Sequence, residues 1–170
     1  MVGHILCASF VDIPNCGVCE PKVETYRLDD KRFRIRKDPS NDSKLAAAIR
    51  DRLELTDIVV GHNSKLFDLK FLKARLAKYD LRPPNVKWHL DTMWTARSHL
   101  RASSKLDNLQ HFLDLPDEKT AITWDDWARG AALQHDAMDR IVEHCEKDVL
   151  VLAQAYWRLL PMVRTLKRDG

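Results

Sequence analysis

Strand-length patterning dominates the first third of the chain. His4–Asp12 (HILCASFVD) is a short apolar run, and Lys22–Leu28 (KVETYRL) alternates, with Val23, Thr25 and Arg27 on one face. Pro14, Asn15, Gly17 and Pro21 lie between them as turn-forming residues. Lys31–Lys37 (KRFRIRK) alternates as well, which predicts a third strand or an exposed basic edge. From Asp42 the period becomes helical: Ser43 can cap a helix carrying Leu45, Ala48, Ile49 and Leu53. Asp57–Gly61 (DIVVG) reads as a buried strand, and Phe67–Tyr79 as a helix stopped by Pro83-Pro84. Val86–Asp91 is a further strand.

Beyond Asp91 the pattern is helical. Thr92–Leu100 makes one piece, and Ser104 can cap a second that carries Leu106, Leu109 and Leu113. Trp124–Ala132 makes a third, with Trp124 and Trp127 packing it into the core. The last helix runs from about Asp136 to about Leu160, with Ile141, Cys145, Asp148 and Leu152 on one stripe. Strands first, then alternation, then helices predict an α/β domain built on a mixed sheet.

Composition narrows the function classes. At 170 residues the chain has room for one domain, residues 1–170. With 45% hydrophobic and 31% charged residues it is not a disordered polymer. No apolar run reaches the roughly 18–20 residues of a membrane span, and the N-terminus lacks the layout of a signal peptide. Lys plus Arg number 28 against 25 Asp plus Glu, which excludes a strongly basic arm and permits a local basic groove. Five glycines are too few for a phosphate-cradling loop. Four cysteines without an export signal predict free thiols in a reducing cytoplasm.

Two segments carry candidate chemistry. Gly61-His62-Asn63-Ser64-Lys65-Leu66-Phe67-Asp68 passes from a strand end into a helix start, where ligand groups collect in α/β sheets. Asp68 in the first turn also suits the helix dipole. In the long helix, His144 and Asp148 are four residues apart and project from one face. A carboxylate beside Val149, Leu150, Val151 and Leu152 is costly unless paired or bound to a metal.

Taken together, GHNxxxFDxxxL and the later HCxxDVxxL resemble the DEDD (DnaQ-like) superfamily of 3′–5′ exonucleases, which has the ribonuclease H-like fold. The resemblance spans about residues 56–161. Leu90-Asp91-Thr92-Met93, Leu106-Asp107-Asn108-Leu109, Lys119-Thr120 and Leu159-Leu160-Pro161 resemble a subgroup of bacteriophage and bacterial genomes. The resemblance implies an α/β fold with helices flanking a mixed sheet and two Mg²⁺ or Mn²⁺ ions held by carboxylates. It implies a DNA or RNA strand with a 3′ end as substrate. Asp68 and Asp148 match metal-binding carboxylates, His144 stands where a residue handles the attacking water, and His62 and Asn63 lie where the 3′-terminal nucleotide enters. His144 is one position from the family's histidine slot, which Glu143 occupies here.

The family's first motif, Asp-x-Glu on the central strand, is absent: no Asp is followed two positions later by Glu or Asp. Two registers fit. In one, the central strand is missing and the motif lies upstream of Met1 or on a second chain, and self-association or pairing with that chain covers the exposed strand edges. In the other, His4–Asp12 is the first strand of a complete meander, with Asp12 in the motif slot. Either way a catalytically incomplete nucleic-acid-binding or partner-binding module stands beside the enzyme reading. Cys16-x-x-Cys19 with His4 and Cys7 reads as a loop with free thiols rather than zinc ligands, because His4 and Cys7 point to opposite faces of a strand. Asp91 reads as the cap of the helix that follows it.

Overall fold

The computed structural model describes residues 3–13, 21–100, 105–116, 120–163 and 167–168. The chain runs β1 (Cys7–Val11), β2 (Val23–Arg27), α1 (Ser43–Glu54), β3 (Ile58–Gly61), α2 (Asp68–Lys78) and β4 (Trp88–Asp91). It continues α3 (Thr92–His99), α4 (Leu106–Phe112), α5 (Trp124–Ala131), α6 (His135–Leu159), a 3₁₀ turn (Leu160–Met162) and β5 (Lys167–Arg168). Each of these elements down to α6 except α4 lies within, or one residue beyond, its expected segment; the start proposed for α4, Ser104, lies outside the described residues, as do Cys16 and Cys19.

The sheet comes in two pieces. β1 and β2 form an antiparallel hairpin, in register from Cys7↔Arg27 to Val11↔Val23. β3 and β4 pair in parallel from Ile58↔Trp88 to Gly61↔Asp91, and β5 adds antiparallel to β4. Among the described residues no backbone hydrogen bond joins the hairpin to β3 or β4. β3 is therefore an edge, which corrects the expectation of a buried strand: Ile58 is 40% exposed and Val59 and Val60 are half-buried.

Lys31–Lys37 forms no strand. The amides of Phe33 and Arg34 both donate to the Asp30 carbonyl, and the Asp30 carboxylate takes the Arg32 guanidinium, so the segment closes into turns. Phe33 is buried against Tyr26, ring centroids 5.4 Å apart, and the basic residues stay exposed. A complete three-stranded meander is thereby excluded. Asp12, the candidate for the motif slot in that register, is exposed and ion-paired to Arg52 at 2.6 Å.

Three apolar clusters hold the elements together. One gathers Ile5, Leu28 and Phe33 from the hairpin side with Leu45, Ala46 and Ile49 of α1 and Leu72 and Leu76 of α2. A second joins Ala96 of α3 and Leu109 of α4 to Val151, Ala155 and Leu159 of α6. A third sets Leu6 against Met138 and Ile141 of α6, with Trp127 of α5 packed on it. Trp124 departs from the expectation: it is 86% exposed at the first position of α5, where the Thr123–Asp126 capping box fixes the start of the helix.

Arg75, at an apolar position of α2, is explained by Asp42. Its Nε and Nη2 donate to the Asp42 carboxylate at 2.9 and 2.6 Å, and its Nη1 donates to the Gly3 carbonyl at 2.7 Å. The same carboxylate accepts from Ile5 N and from the Tyr79 hydroxyl, each at 2.7 Å. Asp42 precedes α1 but makes no side-chain cap, because its oxygens are spent on this buried network. Burial pushes the Asp42 carboxyl up, but the Arg75, Ile5 and Tyr79 hydrogen bonds outweigh it and hold it below the usual carboxylate range.

Candidate active site

The first half of the site grows from the parallel pair, whose register sets Gly61 opposite Asp91 at the C-terminal ends of β3 and β4. Asp91 caps α3 by accepting from Met93 N at 3.0 Å, as expected. It also accepts from Asn63 N at 2.8 Å and Lys65 N at 3.4 Å, so one carboxylate holds both the helix start and the 62–65 loop. The loop turns at Asn63, whose φ of 58° lies in the left-handed region that Asn tolerates better than most residues. Gly61 is required by close approach: a Cβ there would sit 1.9 Å from Ser64 Oγ.

Side chains complete this lattice. The Thr92 hydroxyl donates to the Gly61 carbonyl at 3.1 Å and so accepts from His62 Nδ1 at 2.9 Å, which puts the His62 proton on Nδ1. Ser64 Oγ and His89 Nε2 share a buried hydrogen bond of 2.8 Å. Asp68, an exposed residue, opens α2. Desolvation by the surrounding protein raises its carboxyl; its own backbone N–H opposes this, and the Asp91 charge adds to it.

The second half lies on α6. His144 Nδ1 is 2.8 Å from the Thr120 carbonyl oxygen, an acceptor only, so Nδ1 carries the proton in the neutral ring. The other nitrogen, Nε2, then presents its lone pair 3.7 Å from Asp148 Oδ2. Glu143, in the family's histidine slot, points elsewhere and pairs with Lys147 at 3.0 Å. Two contributors escaped the sequence reading. The hold of Asp91 on the 62–65 loop follows from strand register, and the anchoring of His144 by Thr120 comes from a segment without regular structure.

The expected residues thus fall into two constellations: His62, Asn63 and Asp68 around Asp91, and His144 with Asp148. Among the described residues, no group of three or more His, Cys, Asp or Glu side chains is placed to hold a metal ion. Among the described residues, the carboxylates do not by themselves gather into a two-ion centre.

A parallel strand pair with its chemistry at the C-terminal ends, flanked by helices and backed by a hairpin, defines an α/β domain with a strand-end polar site. The RNase_H_2 model of the RNase_H superfamily matches residues 17–160, most of the chain, which therefore belongs to that superfamily and has a ribonuclease H-like fold. No curated protein matches it. Membership points to nuclease-type hydrolysis with nucleic acid as substrate, and ribonuclease H-like nucleases generally use divalent metal ions. Among the described residues no helix is long and apolar enough to cross a membrane.

Proposed function

We propose that the chain is a metal-dependent 3′–5′ exonuclease-like phosphodiesterase of the DEDD (DnaQ-like) branch and its phage and bacterial subgroup. Residues 1–170 form one cytoplasmic domain acting on the 3′ end of a DNA or RNA strand. The observation that carries this reading is the His144 geometry. An imidazole held by Thr120 through Nδ1 leaves Nε2 to take a proton from water, and Asp148 beside it stabilises the resulting imidazolium. The water oxygen attacks phosphorus, the bond from phosphorus to the preceding 3′ oxygen breaks, and the terminal nucleotide leaves with its 5′ phosphate. His62 and Asn63 receive that nucleotide. Asp68 and Asp148 are this chain's contribution to holding Mg²⁺ or Mn²⁺.

The two-piece sheet supports a supplement to this reading. A strand from a second chain, bearing the absent carboxylates, completes the metal site, whereas self-association pairs strand edges but brings no Asp-x-Glu. One observation favours a second reading, a nucleic-acid-binding or partner-binding module that hydrolyses nothing: the lack of a metal-competent cluster among the described residues.

The test is degradation of 5′-labelled single-stranded DNA and RNA with Mg²⁺, Mn²⁺ or EDTA, alongside Asp148→Ala. A metal-dependent ladder shortening from the 3′ end, absent in the variant, supports the enzyme. Tight binding without a ladder, by protein shown to be folded and monomeric by sedimentation, supports the binding module.

A further inference from the structure

Cys7 on β1 and Cys145 on α6 lie 138 residues apart in sequence, yet their sulfurs are 3.3 Å apart, with the Cys7 thiol donating to Cys145 Sγ. Both are free and half-buried, so a small oxidant can reach them. A disulfide bond is about 2.05 Å long, so closing the gap takes little more than an ångström of approach. The sulfurs are also held in place from the flank. Glu146, next to Cys145, accepts from the Thr25 hydroxyl at 2.7 Å, and Thr25 shares a 2.9 Å hydrogen bond with Ser9 on β1. These contacts fasten both hairpin strands to the turn of α6 that carries Cys145. Leu6, Met138 and Ile141 supply an apolar floor beneath the pair.

We propose that Cys7 and Cys145 form a redox-active dithiol, oxidised to an intramolecular disulfide by small-molecule disulfides of the glutathione class. Cys145 attacks first: its thiolate takes one sulfur of the small disulfide, giving a mixed disulfide and releasing one thiolate. Cys7 then loses its proton to solvent and attacks the Cys145 sulfur, expelling the second small thiolate. In sum, two protein thiols lose two electrons and two protons, and one small disulfide becomes two thiols. The order follows from the hydrogen bond, in which Cys7 is the donor. That bond, and then burial, push the Cys7 thiol up, which makes Cys7 the poorer first nucleophile and slows its later attack on the mixed disulfide. The product pins β1 to the helix that bears His144 and Asp148. The dithiol itself does not depend on the nuclease reading.

The experiment equilibrates the full chain with mixtures of reduced and oxidised glutathione, blocks free thiols, and maps peptides without reduction. The expected product is a peptide pair joined through Cys7 and Cys145, two hydrogens lighter than the sum of its parts. Its fraction should follow the glutathione ratio, and its formation should raise the thermal midpoint. Cys7→Ser should instead trap glutathione on Cys145 and abolish the thermal shift. Cross-links confined to Cys16 and Cys19, or glutathione accumulating on Cys145 of the unmodified sequence without ring closure, would overturn the proposal.

Discussion

His144 Nε2 stands 3.7 Å from Asp148 Oδ2, one helical turn away on α6, with the far side of the ring tied to Thr120. Replacing His144 by Ala removes the proton acceptor and leaves the helix intact. Under the proposed function, turnover falls by about 10²- to 10⁴-fold, with unchanged helical circular dichroism. His144→Gln should be equally inactive, since an amide does not accept the proton. Single-turnover kinetics on a labelled strand check both.

The Asp42–Arg75 network governs stability. Both side chains are fully buried, so Asp42→Asn leaves an unpaired buried guanidinium and should cost about 3–5 kcal/mol in urea unfolding. The pH dependence has a definite sign. A carboxyl held below its ordinary value contributes stability that is present above about pH 4, the unfolded value, and is lost as pH falls through the folded one. The unmodified chain should therefore lose stability on acidification through that window, and Asp42→Asn should lose less.

Asp91 and Asp68 are electrostatically linked. Asp91→Asn keeps an oxygen for the capping amides but removes the charge, so the Asp68 titration followed by carboxyl ¹³C shifts should move down. In the unmodified chain the raised Asp68 carboxyl works against the fold as pH rises through its titration, and the variant relieves this. No movement in the variant would mean that desolvation alone sets the shift.

Gly61→Ala tests the strand end. The added Cβ would meet Ser64 Cβ at 2.4 Å as well as Ser64 Oγ, and no rotamer change moves a Cβ away. The loop must shift, breaking the Ser64–His89 hydrogen bond, at a cost of about 1–3 kcal/mol. Thermal unfolding together with His89 imidazole NMR shifts would register both effects.

Much of the fold was legible because apolar periodicity reports local structure faithfully. The helices carrying Leu72 and Leu76, or Ile141, Cys145 and Leu152, announce themselves by spacing, although in the last of these burial falls on Val151 while Leu152 is half-buried. What spacing could not reveal was pairing between distant parts. Alternation in Lys31–Lys37 suggests a strand, yet Asp30 captures two backbone amides and turns the chain. DIVVG is as apolar as a central strand and sits at an edge, because neighbours rather than composition decide burial. Of the site, the motif residues could be named from sequence. The second task of Asp91 needed the Gly61↔Asp91 register, and the His144 tautomer needed the Thr120 carbonyl.

Cohesion between the hairpin and the parallel pair has an unusual origin. No ladder crosses between them among the described residues. α6 instead packs Met138 and Ile141 against Leu6 beside the hairpin, and Val151, Ala155 and Leu159 against the helices that follow β4. Side-chain contacts along this 25-residue helix, with the cluster that joins Ile5, Leu28 and Phe33 to α1 and α2, thus transmit what a continuous sheet would transmit through its backbone. Opening one half breaks no strand-to-strand hydrogen bond in the other, so amides of β1–β2 and of β3–β4 are free to exchange with solvent deuterium at separate rates.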